Sequence, residues 1–164
     1  MNFLEKISQS LNRLLVFAGG LVLLGMIGLT CANIFLRLVF APVPGTFELM
    51  GYFGALATAF ALGYTQVKKG HIAVDVLVDA FPARVKVLLG LANSLICCLF
   101  FILVAWQLGV KARTLWVTGE LTETLKIIYY PFTFAVALGC AVLALVLLAE
   151  FFKGLFLLGP GGGK

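Results

Sequence analysis

LLVFAGGLVLLGMIGLTCANIFL, residues 14–36, runs for 23 positions without a charge. Three more such runs follow at 49–67, 87–110 and 127–149, of 19, 24 and 23 residues. A helix crosses a hydrocarbon core of about 30 Å in about 20 residues. Each run is therefore long enough to span a bilayer, and together they fill more than half of the 164 residues. Lipid offers no partner to backbone N–H and C=O groups, so a spanning segment must be a helix or a strand of a closed barrel. A barrel strand is about 10 residues of alternating character. These runs are continuously apolar, which selects helices. The expected fold is all-α, a polytopic membrane protein of four transmembrane helices.

Hydrophobic residues make up 62% and charged residues 12% of the chain, against roughly 25% charged in soluble domains. The segments between runs are too short to bury cores of their own, so one membrane domain is expected over residues 1–158. The tail Gly159-Pro160-Gly161-Gly162-Gly163-Lys164 is expected to be disordered. The net charge of +5 is spread over the loops and implies no nucleic-acid partner. It orients the chain instead. Lys6, Arg13, Lys68, Lys69, Arg84, Lys86, Lys153 and Lys164, eight in all, would share one side; Arg37, Lys111, Arg113 and Lys126, four, would share the other. The richer side is cytoplasmic, which places both termini inside. The first run is too long for a signal peptide's apolar region of about 7–15 residues. Thr30-Cys31 lies within a continuing apolar run, which speaks against a lipoprotein site.

Several chemistries lack their residues. Cys31, Cys97, Cys98 and Cys140 all fall within runs, form no C-x-x-C pair, and read as small apolar core residues. His71 is the only histidine, too few for bis-histidine haem or a zinc site. No metal or cofactor is expected. Ion-coupled carriers place ionisable groups within their spans. Here the polar residues at depth are Asn33, Thr58, Asn93, Ser94, Gln107 and Thr133, suited to hydrogen bonds between helices. The expectation is a supporting membrane component, not an enzyme. A self-contained four-span transporter acting as a homodimer is the alternative, with Glu48 its only candidate carboxylate. A membrane enzyme would have only His71 and Asp75 to work with.

What the runs do carry is packing. Gly51, Ala55, Ala59 and Gly63 recur every four residues in the second run, as do Ala135 and Gly139 in the fourth. Such rows let helix backbones approach closely, within this bundle or against a partner. In the first loop, Pro42, Pro44 and Gly45 turn the chain, Thr46 is placed to cap the second helix, and Glu48 lies in its first turn, where the helix dipole favours an acid. Arg37 and Glu48 flank this loop with opposite charge, and a structural ion pair is expected. In the second loop Gly70 suits a helix C-cap. Beyond it Val74, Leu77, Val78 and Phe81 share one face at helical spacing, and His71, Asp75 and Asp79 another. That pattern predicts a short interfacial amphipathic helix over 72–81, closed by Pro82, at the membrane surface.

Three local patterns, in order, resemble one known family. The first is Arg37, then Pro44-Gly45 and Glu48. The second is Gly70-His71-Ile72-Ala73-Val74-Asp75. The third is Tyr129-Tyr130-Pro131 followed by Gly139. Over about residues 14–152 the chain resembles the small membrane subunit, the DctQ type, of tripartite ATP-independent periplasmic (TRAP) transporters. One departure is the segment 125–130, where the family often carries a tryptophan and this chain has none. The resemblance implies a bacterial inner-membrane protein with two protein partners, a large membrane subunit and a periplasmic solute-binding protein, besides membrane lipids. It implies that the large subunit holds the substrate and sodium sites. The small subunit would pack against it as part of a fixed scaffold, required for sodium-coupled uptake of a carboxylate. Arg37, Glu48, Gly51, Ala55, Ala59, Gly63, His71, Asp75, Pro131 and Gly139 are the expected structural or interface residues.

Overall fold

The computed structural model describes residues 2–70 and 81–158. They form four helices: α1 (Asn2–Val39), α2 (Thr46–Val67), α3 (Ala83–Thr118) and α4 (Tyr130–Leu158). Among the described residues there is no strand, only an isolated antiparallel bridge between Leu121 and Ile128. The residues 71–80 that would carry the expected surface helix, His71 and Asp75 among them, lie outside the described residues, as does the tail 159–164.

Helix α1 is longer than its charge-free run. At 38 residues it extends about 57 Å. No proline or glycine interrupts residues 2–18, and charges at Glu5, Lys6 and Arg13 do not stop a helix. Ser8, Asn12 and Leu15 recur at helical spacing and are all buried. Helix α3, of 36 residues, likewise continues past its run, with Lys111 and Arg113 two turns from its end. Pro131 sits in the first turn of α4, where a missing N–H costs nothing.

Helix α4 is the centre of the arrangement. It packs along α3 on one side and α2 on the other, α1 lies against α2, and α1 also touches α4. Val142, Leu143, Ala144, Val146 and Leu147 are all buried, so more than one face of α4 is covered. One cluster joins Val142 to Leu15, Leu56 and Phe60, tying α1, α2 and α4 together. A second joins Leu143 and Leu147 to Cys98 on α3.

Among the described residues three helices are long and apolar enough to cross a membrane: Ser8–Val39, Val85–Thr118 and Tyr130–Leu155. Four were expected. Helix α2 has the length, 22 residues or about 33 Å. Glu48, Tyr52, Thr58, Tyr64, Thr65 and Gln66 dilute its apolar character. Flanked by α1 and α4, it needs less apolar surface than they do.

The end of α2 departs in detail from expectation. Gly70 is not the left-handed residue; Lys69 is, at φ 51°. The Gly70 N–H donates to the Thr65 carbonyl at 2.8 Å and the Lys69 N–H to Gln66 at 2.9 Å. These two bonds make a Schellman cap, with Gly70 one position beyond the left-handed site.

Candidate functional site

The loop between α1 and α2 and the loop between α3 and α4 meet at one end of the molecule. Pro44-Gly45 makes the turn, and Gly45 takes φ +70° at the start of α2. A side chain there would be strained, and the space its Cβ would need is filled by the Leu125 side chain. Thr46 was expected to cap α2. It is instead the first helical residue, buried, with its hydroxyl donating back to the Val43 carbonyl at 2.7 Å. Asn33 holds the same loop from α1, its Oδ1 accepting from the Val43 N–H at 2.9 Å.

Glu48 reaches across from α2 to the second of these loops. Its carboxylate accepts from the Thr124 N–H at 2.9 Å and from the Leu125 N–H at 3.2 Å. The Thr124 N–H is the main reason its pKa lies below the usual carboxylate value; desolvation opposes the shift, while the Leu125 N–H and the Thr122 and Thr124 hydroxyls reinforce it. The loop is shaped to offer these donors. The Thr122 N–H donates to the Ile127 carbonyl at 3.0 Å, and the Ile127 N–H returns to the Thr122 hydroxyl at 3.1 Å. The expected Arg37–Glu48 ion pair is therefore corrected. Two backbone donors held at fixed geometry satisfy the carboxylate better than a long exposed guanidinium, whose pairing in water gains little. Arg37 itself is exposed near the end of α1.

Aromatic rings extend the junction inward. Tyr52 stacks on Tyr129 at 5.9 Å and on Phe132 at 5.2 Å. Trp116 of α3 stacks on Tyr130 at 6.0 Å. Sequence reasoning missed Leu125 and Tyr52 here. The Glu48–Thr124 contact joins positions 76 apart in sequence, and nothing local announces it.

The row of small residues on α2 divides between two surroundings. Ala59 and Gly63 are buried, whereas Gly51 and Ala55 are exposed. Four residues along a helix turn about 400°, so each step drifts about 40° and the row winds away from any one neighbour. At Ala59 the helix meets Gly139 of α4. A Cβ on Gly139 would lie 2.7 Å from the Ala59 carbonyl oxygen. One turn on, Gly63 faces the Asn12 side chain of α1, with Val142 of α4 alongside. Asn12 is 2% exposed, and neither its Nδ2 nor its Oδ1 finds a partner among the described residues. Farther along, Gln66 Nε2 donates to Glu150 Oε2 at 2.7 Å, linking α2 to α4. Asn12 was not anticipated, although a polar residue between Leu11 and Leu15 is the visible sign of it. Pro131 is exposed.

Outside these contacts the helices expose many large apolar side chains. On α3, Leu99, Leu103, Trp106 and Val110 are all exposed, and on α1 so are Phe17, Leu21, Leu24 and Ile27. A shallow groove of about 300 Å³ between α3 and α4 is lined by Ile102, Ala105, Ala141, Ala144, Leu145 and Leu148. Among the described residues no three His, Cys, Asp or Glu side chains gather as a metal site would need. The molecule thus offers a latched loop end, a close crossing of α2 and α4, and bare apolar helix faces.

A search of curated proteins found no match to the chain. A family model does match, over residues 26–157: the DctQ component of tripartite ATP-independent periplasmic transporters. That range holds α2, α3, most of α4, the latch and the α2–α4 crossing. Covering most of the chain, it establishes that this protein belongs to the DctQ family, membrane components of TRAP transporters.

Proposed function

We propose that the chain crosses the bilayer four times with both termini cytoplasmic and packs against the large membrane subunit of a TRAP system as part of its fixed scaffold. In that role it is required for sodium-coupled, binding-protein-dependent uptake of an organic acid, and it carries no substrate or ion itself. The observation that carries this reading is the division of the surface. Helix α4 is packed on several sides, whereas α3 leaves Leu99, Leu103, Trp106 and Val110 bare along its length. A fixed platform needs a rigid interior and apolar faces to present to a second membrane protein. Gly51 and Ala55, exposed on α2, supply a place where a partner helix could come close. Glu48, the one carboxylate that could have served a self-contained transporter, is occupied by backbone N–H groups.

Co-purification tests the scaffold role. Leu103→Arg with Trp106→Arg on α3 should abolish capture of the large subunit while leaving the helical content of the isolated chain unchanged. Undiminished capture would remove α3 from the proposed interface.

A further inference from the structure

With Glu48 held by the loop, Arg37 is left without its expected partner, and it has no hydrogen bond or ion pair among the described residues. It is also not the end of the apolar run. Helix α1 continues to Val39, and the chain stays apolar beyond it. Ile34, Phe35 and Leu36 precede Arg37, and Leu38, Val39 and Phe40 follow; all six are exposed, Leu38 by 81% and Phe40 by 91%. Phe47, across the loop, is exposed by 90%.

Successive helical residues point about 100° apart, so residues 34–39 cover the full circumference of α1. A partner helix covers one face of such a segment; a fluid apolar phase covers all of them. The depth agrees. Arg13 and Arg37 bracket the charge-free run and lie about 36 Å apart along α1, close to the hydrocarbon thickness plus a margin at each side. A guanidinium at that boundary, ringed by apolar side chains, extends toward the nearest anion, and in a bilayer that is phosphate.

We propose that Arg37, flanked by Leu36, Leu38 and Phe40, holds the phosphate of a phospholipid in the leaflet at the α1–α2 loop. This rests on α1 crossing the bilayer and is independent of which side is cytoplasmic and of the transport role.

The test uses the full chain, delipidated in detergent, with bound lipid counted by native mass spectrometry. Three probes are offered: dioleoylphosphatidylglycerol, dioleoylglycerol with the same acyl chains and no phosphate, and inorganic phosphate. The wild-type chain should retain the phospholipid in preference to dioleoylglycerol, and inorganic phosphate should not displace it. Arg37→Gln should weaken phospholipid binding about tenfold, the scale of a charge-assisted hydrogen bond. Leu38→Ser with Phe40→Ser, which keeps the charge and removes the flanking apolar side chains, should weaken it as well. Undiminished binding by Arg37→Gln, or equal retention of dioleoylglycerol, would overturn the proposal. Displacement by inorganic phosphate would mean a free-anion site instead. Lipid retention by Arg37→Gln with loss of large-subunit capture would make Arg37 a protein contact and equally refute it.

Discussion

Glu48 and Gly45 show how single residues hold the loop end. The Glu48 pKa is depressed in the folded state, so its contribution to stability is fully present above the unfolded value of about 4.3 and is lost as pH falls through the lower folded value. Glu48→Gln should therefore lower the thermal midpoint in detergent near neutral pH, and the gap from wild type should close in acid below that range. A gap that stays constant with pH would mean the carboxylate charge is not what holds the loop. At Gly45 the φ of +70° and the Leu125 side chain both exclude a Cβ. Gly45→Ala should cost about 1–2 kcal/mol from the backbone alone, and more for displacing Leu125, read as a drop in unfolding midpoint. The sequence marked both residues as special, from the Pro-Gly turn and the acid in a first helical turn. It could not name their partners, because backbone donors of a distant loop leave no trace in side-chain type.

At the scale of helices, the crossing of α2 and α4 separates two kinds of close approach. Gly63→Ala would meet the end of the Asn12 side chain, and Gly139→Ala would meet the backbone of Ala59. Both should destabilise the isolated chain by about 1–3 kcal/mol, the usual cost of overpacking. Asn12→Ala should rescue Gly63→Ala, because it removes the obstructing atoms together with a buried amide that has no partner. It should not rescue Gly139→Ala. Unfolding midpoints of the two double variants check this, and rescue of both or of neither would contradict the geometry. The charge-free runs made the helices legible, but not their ends. Asn2–Arg13 joins α1 because nothing breaks it, and Lys111–Thr118 prolongs α3 for the same reason. The spacing of Gly51, Ala55, Ala59 and Gly63 marked a close contact. Which half of the row faces inward depends on where α4 crosses, and that is a property of the whole packing.

Across the whole molecule, a packed α4 carries α2 and α3 on either side, and α1 and α3 leave large apolar side chains exposed. With four spans, Lys and Arg would fall eight to four on the two sides of the membrane, which predicts cytoplasmic termini. In a cysteine-free background, Lys164→Cys should label only from the cytoplasm and Glu120→Cys only from the periplasm; the reverse pattern would invert the topology. On the proposed role the chain is inert alone and indispensable in company. Reconstitution in liposomes with the large subunit and the binding protein tests it most directly, by following sodium-driven uptake of an organic acid with this chain present, absent or by itself. Uptake is expected only when all three proteins are present. Uptake by this chain alone, or undiminished uptake by the other two without it, would contradict it.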